Sequence, residues 1–366
     1  NLLAMTTLTS PLLGDRALKP GDEVITVAAG FPTTVNPIIQ NNLVPVFVDV
    51  ELGTGNIDAE QIEPAITEKT KAIFVAHTLG NVFELDKIQA LCKKHNLWLI
   101  EDNCDALGSK YLGQYTGTFG DICCLSFYPA HHITMGEGGA LLTNNPTLNK
   151  IIMSYRDWGR DCWCPPGKDN TCNNRFKFKD VGTLPDGYDH KYVYSHLGYN
   201  LKITDWQAAC GLGQLERLEE FIQKRKDNFN YLYAGLKKHE KFIALATTYE
   251  NADPSWFGFS IRVIDGHPFT KVDMTRFLEE KGIGTRQLFA GNILRQPAYL
   301  SREFPLRIKN SPVKSSLELS KEDYQMLPNS DVVMNNVFWV GVWPGLGTKE
   351  LDRIIDAFDE FLAQYV

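Results

Sequence analysis

The sequence predicts an α/β protein: a mainly parallel sheet between layers of helices, followed by a smaller α+β segment. Three observations carry this. Short apolar runs without strict alternation recur through the first 145 residues, as strands covered on both faces should. Helical patterns lie between them, the β-α-β-α order of a parallel sheet. The composition is that of an ordinary globular chain: 366 residues, 43% hydrophobic, 22% charged, long enough for two domains.

The elements follow in order. "EVITVAA" (23–29), "VPVFVDV" (44–50), "AIFVAH" (72–77), "LWLIED" (97–102) and "ICCLSF" (122–127) read as buried strands, and "GALLTNN" (139–145) as one more. "DAEQIEPAI" (58–66) and "DKIQALCKKHN" (86–96) read as helices. Residues 157–195 are rich in Gly, Pro, Asn, Asp and Cys. They are too many for an ordinary connection, which marks a functional or mobile insertion. Residues 204–239 read as one long helix, with Thr204 and Gln207 at capping-box spacing. The chain ends in the amphipathic helix "TKELDRIIDAFDEFLAQY". The expected division is a large domain over 1–225, carrying the insertion, and a smaller one over 226–366.

Composition excludes some functions. The net charge of −7 disfavours nucleic acid or an anionic membrane as partner. No apolar run of membrane length and no signal-peptide pattern occurs, so the expected location is the cytoplasm. There the eight cysteines are not expected to form disulfides.

Two stretches carry chemistry. In "LIEDNCDALGS" (99–109), Asp102 follows directly on a strand. A carboxylate there caps the next helix in many proteins. Pointing into a cleft, it would instead need a cationic partner, and a protonated pyridine ring nitrogen is one. In "LSFYPAHHITMGEGG" (125–139), Ser126 ends another strand and His131 follows five residues later. A lone histidine is more often a satisfied core residue. The frame of Asp102, Ser126 and "GEGG" makes His131 a site candidate.

That frame resembles the vitamin-B6-dependent nucleotide-sugar aminotransferase family, whose motif runs Ser-Phe-x-x-x-Lys before Gly-Glu-Gly-Gly. "GFPTTVNPIIQNNLVPVFVDV" and "LGYNLKITDWQAACGLGQLERL" are similar to further family segments. The resemblance implies a fold-type I architecture and a homodimer with shared active sites. It implies that Asp102, Ser126 and Phe31 bind the cofactor, Phe31 by stacking on its ring. Asn200 would reach the phosphate of the partner subunit's cofactor, with Lys202 where Arg is usual. The family's phosphate-binding turn would lie ahead of "NLLAMTTL". His131 stands in the lysine position. An imidazole has no primary amine, so it cannot hold the cofactor covalently, and pyridoxamine phosphate can be the bound form. His131 would then be the base. Asp105 replaces Gln or His near the cofactor's phenolic oxygen, Tyr128 replaces a frequent His, and His132 is expected to be structural.

Cys104, Cys162, Cys164 and Cys172 form the frame C-x57-C-x-C-x7-C. By spacing alone zinc, a [2Fe-2S] cluster and no metal all stay open. Together with His131, the frame resembles a dehydrase branch of the family. That resemblance implies a [2Fe-2S] cluster on the four cysteines and C3 deoxygenation of a CDP-linked 4-keto-6-deoxy sugar, in the route to 3,6-dideoxyhexoses of O-antigen. Electrons would come from an NADH-dependent flavin iron–sulfur reductase. The alternatives are a cluster-free 3-dehydratase of a GDP-sugar and a non-catalytic fold with structural zinc.

Overall fold

The computed structural model describes residues 1–164 and 167–365. The first sheet has eight strands. Its centre is β1 (Glu23–Val27), β2 (Val44–Val48), β3 (Thr70–Ala76), β4 (Trp98–Asp102) and β5 (Ile122–Ser126), all parallel, in spatial order β2-β1-β3-β4-β5. Their side chains alternate between two apolar layers. Ile25, Ile73, Val75 and Leu99 pack with Leu85, Ile88 and Cys92 of helix α3 (Leu85–His95). Val24, Phe74, Trp98 and Ile100 pack with Met5, Ile38, Leu148 and Ile152. These four come from α1 (Leu2–Thr7), α2 (Pro32–Gln40) and α4 (Pro146–Arg156). Truncating a side chain such as the fully buried Phe74 to Ala should destabilise by about 3–5 kcal/mol.

The sixth strand, β6 (Gly139–Leu142), runs antiparallel to β5. The link between them holds no helix of the kind that makes the crossover of a parallel pair. Two other expectations change. Residues 58–66 form two 3₁₀ turns, Ala59–Gln61 and Glu63–Ala65, because Pro64 lacks the N–H that an α-helix would use. The long helix over 204–239 is two: α5 (Asp205–Leu215), with the expected capping box at Thr204, and α6 (Leu218–Leu236). No residue of α5 is buried, whereas α6 buries a stripe, so the apolar periodicity does not run through the junction.

The second sheet is antiparallel. Strands Ile243–Leu245, Gly258–Val263, Thr285–Gln287 and Val337–Gly341 pack on α6 and on the helix Thr348–Leu362. The chain after residue 225 does not stay with this sheet. Strand Pro305–Ile308 crosses back, pairs parallel with β2 and is followed by the edge strand Lys314–Ser315. There Arg307 meets the buried Glu23 of β1 through Nε (2.9 Å) and Nη2 (2.7 Å). The expected boundary near residue 225 therefore falls inside α6, and residues 305–308 belong to the first sheet.

Candidate active site

The carboxyl ends of β4 and β5 lie side by side, where open parallel sheets hold their ligands. Asp102, the last residue of β4, is 4% exposed. Its Oδ2 accepts hydrogen bonds from Thr34 Oγ1 and Asn1 Nδ2, both at 2.7 Å. Thr34 lies in the first turn of α2, and Phe31 is the N-cap of that helix, so Asp102 and Phe31 belong to one neighbourhood. Phe31 is half exposed, its ring edge-on to Phe289 at 6.1 Å.

Beyond Ser126 the chain turns. Tyr128 N donates to Ser126 Oγ (3.3 Å), and His131 N donates to Tyr128 O (3.0 Å). This returns the His131 ring to Asp105, with Nδ1 3.4 Å from Oδ1. The Tyr128 ring lies edge-on to His131 at 6.1 Å, and the Phe257 ring covers His131 at 5.1 Å. Burial pushes the imidazole down to about 4; the charge of Asp102 opposes this shift and that of Arg225 adds to it. Burial, and then the charge of Asp102, push Asp105 up to about 8. Both side chains are thus uncharged near neutral pH, and an uncharged imidazole is what a base requires. His132 is buried, with Nε2 2.9 Å from Ser255 O, a structural partnership.

These residues fit a pyridoxamine-type cofactor on two counts. His131 Nδ1 and Asp105 Oδ2 are buried without hydrogen-bond partners, as a site shaped for a further polar group leaves them. Asp102 offers a buried carboxylate that no Lys, Arg or His side chain neutralises among the described residues. Asn200 stands apart. Its backbone bridges to Asp157, while Lys202 Nζ meets Asp157 Oδ1 at 2.7 Å. No hydrogen bond links it to Asp102, Ser126 or His131.

The cysteines divide. Residues 157–195 leave and rejoin the fold through a neck. Trp158 N donates to Tyr199 O (2.7 Å), and Ser195 N to Gly159 O (2.9 Å). Gly159 has φ +82°, and a Cβ there would stand 1.8 Å from His196 O. Inside the loop, His190 Nε2 meets Asp161 Oδ2 at 2.7 Å and stacks on Phe178. Cys162, Cys164 and Cys172 line one cavity of about 880 Å³, with Lys150, Arg156 and Lys202 on its wall. Hydrogen bonds from Thr171 and from the Cys172 main chain push the Cys164 thiol down to about 6. The Cys162 thiol is raised by burial, and Cys164 is its hydrogen-bonding neighbour. Cys104 does not join them. Its Sγ lies 3.9 Å from Cys124 O, and burial, then Asp102, push its thiol well up. Among the described residues no three His, Cys, Asp or Glu side chains are grouped as a metal ion would need. The expected four-cysteine set is not assembled, and its three loop members share only the wall of one cavity.

Thr34, Arg225 and Phe257 were not expected at the site. For Arg225 a signal exists in the sequence: it falls at helical spacing between Ile222 and Phe229, on the stripe α6 buries.

A mainly parallel sheet in this strand order, with a buried carboxylate at the end of β4, is the fold of a fold-type I aminotransferase. The profile of the DegT/DnrJ/EryC1/StrS aminotransferase family matches residues 5–359, and the chain belongs to that family. It is 58% identical to the lipopolysaccharide biosynthesis protein RfbH of Salmonella typhimurium over 361 residues, 99% of this chain and 78% of that protein. It is 52% identical to dTDP-4-dehydro-2,6-dideoxy-D-glucose 3-dehydratase of Saccharopolyspora spinosa over 364 residues, 100% of this chain and 75% of that protein. Among solved structures, E. coli GDP-4-keto-6-deoxy-D-mannose-3-dehydratase with bound hydrated PLP superposes with a TM-score of 0.81 at 27% identity, covering 97% of this chain and 84% of that one. No helix among the described residues is long and apolar enough to cross a membrane.

Proposed function

We propose that this chain removes the 3-hydroxyl of a CDP-linked 4-keto-6-deoxy sugar, with pyridoxamine phosphate held non-covalently and His131 as the base. One observation carries the reading: an uncharged imidazole, packed between Asp105 and Phe257, occupies the turn where the family resemblance puts its covalent lysine. The relatives whose names denote 3-dehydratases of nucleotide-linked sugars support the reaction class.

When bound, the cofactor supplies an amine that can condense with a ketone and a ring that takes up electrons. The chain's residues do the rest. Asp102 would hold the ring nitrogen, Phe31 would cover a ring face, and Ser126, Asp105 and Tyr128 would line the site. His131 takes a proton and, uncharged at neutral pH, is ready to do so. Asn200 serves the site of a second copy. A homodimer is supported by the surface beside it: α5 buries nothing, Leu197 is 96% exposed and Trp206 86%, an apolar area that marks an interface.

On the family resemblance, Cys104, Cys162, Cys164 and Cys172 would hold a [2Fe-2S] cluster, with Cys104 brought across from its place beside Cys124. The cluster would supply single electrons received from an NADH-dependent flavin iron–sulfur reductase. Protein purified without oxygen should carry two irons and two sulfides per chain, consistent with cluster stoichiometry. Its B6 should be removable by ultrafiltration and not fixed by borohydride. Zinc in place of iron, or B6 fixed covalently, would overturn the reading. The structural likeness to the GDP-sugar dehydratase favours one second reading. Iron-free protein that dehydrates a GDP-4-keto-6-deoxy sugar without a reductase would select it.

A further inference from the structure

Helix α6 buries Ile222, Phe229, Leu232 and Leu236 along one stripe, and Arg225 lies on that stripe, 2% exposed. A buried guanidinium ordinarily faces a carboxylate. This one faces main-chain carbonyls: Nη1 donates to Trp256 O (3.4 Å) and Phe257 O (3.2 Å), Nη2 to His131 O (3.4 Å). Its Nε is buried without a partner. The guanidinium also lies 5.9 Å from the centre of the Phe257 ring, the ring that covers His131. Arg225 thus joins the two segments that enclose the imidazole, the turn at 128–132 and the segment 255–257. His132 ties the same two segments through Ser255 O.

We propose that Arg225 is the positioning residue for His131: its fork seats the imidazole against Phe257 and places a fixed positive charge behind it. The proposal rests on the reading of His131 as the base. The ionisable groups around the imidazole are Asp105 and Asp102 from the end of β4, Tyr128 and His132 from its own turn, and Arg225 from α6. The two carboxyls draw a proton towards His131 when ionised, and Arg225 repels it. Burial pushes Arg225 down only to about 10, so it stays charged at neutral pH. Removing that charge should raise the protonation midpoint of His131.

The test is NMR titration of ring-labelled histidines in the holoprotein, His131 being assigned from the His131→Gln spectrum. Arg225→Gln should move the His131 midpoint upward by about 0.5–1 unit. Arg225→Lys, which keeps the charge and loses the fork, should hold the midpoint within about 0.3 unit while kcat falls about tenfold and KM moves less than about twofold. A folded Arg225→Gln protein with an unmoved midpoint overturns the electrostatic part. Wild-type kcat in Arg225→Lys overturns the seating part, and that variant also judges the proposal if Arg225→Gln does not fold. The titration needs no substrate, so a wild-type protein that fails to dehydrate the sugar defeats the functional reading and leaves the electrostatic part to be judged by the titration.

Discussion

Asp102 and Ser126 end strands whose interior residues are buried on both faces, and His131 lies one turn beyond. Cys162, Cys164 and Cys172 sit instead on a loop whose one helical element among the described residues is the 3₁₀ turn His190–Tyr192. The first group is fixed by packing: Phe257, Thr34 and Arg225 leave its side chains few alternatives. The second is fixed by a backbone neck at Gly159 and by polar pairs within the loop, His190–Asp161, Arg175–Asp189 and Lys191–Asp169. Asp102 and His131 are held at a packed sheet end, and the loop thiols by polar contacts, the kind of region that opens locally before the core does.

Three experiments break or sharpen that contrast. The largest effect should come from His131→Asn, which removes the base and leaves the packing almost unchanged. Loss of the 3-hydroxyl should slow about 10²–10⁴-fold with little change in Tm, and a slowing under about tenfold would place the base elsewhere. Gly159→Ala comes next. It forces a Cβ into His196 O at a positive φ, at a cost on the order of 3 kcal/mol. Hydrogen exchange should rise across 157–195 while β1–β5 keep their protection; equal loss in both regions would show that the loop and sheet open together.

The smallest effect is one of pH. The His131 pKa of about 4 in the fold lies below the ordinary 6.5, so its contribution is complete above pH 6.5 and is lost as the pH falls towards 4. That amounts to at most about 3 kcal/mol. Asp105, raised to about 8, acts in the opposite sense, losing stability as the pH rises from 3.8 towards 8. Urea titrations of wild type and His131→Asn at pH 7 and 4.5 should therefore diverge at the lower pH, the wild type losing more stability than the variant. Parallel losses would contradict the burial of a neutral imidazole.

Most of the sheet was legible because a strand covered on both faces must be apolar throughout, as "AIFVAH" and "LWLIED" are. Asp102 and His131 were legible as site candidates because the apolar runs "LWLIED" and "ICCLSF" put them at or just past the ends of neighbouring strands. Thr34 was not: a threonine in a helical turn is unremarkable until the register of β1, β3 and β4 brings it to Asp102. Residues 305–308, "PLRI", are too short and too mixed to show that they pair with β2. The family resemblance implies four cysteine ligands, yet Cys104 turns to Cys124 while the other three line a cavity of the loop, because sequence intervals do not fix how a loop folds back on a strand end.

The return of residues 305–308 to the first sheet also affects how the protein is made. On the ribosome β1 to β5 emerge early, yet β2 keeps an unpaired hydrogen-bonding edge until residue 308 has left the exit tunnel. Glu23, buried and bound by Thr67 and Thr70, must wait for Arg307, 284 residues away in the chain. An edge open for so long is a template for pairing with other nascent chains. Closing it is a late, long-range step that should slow folding.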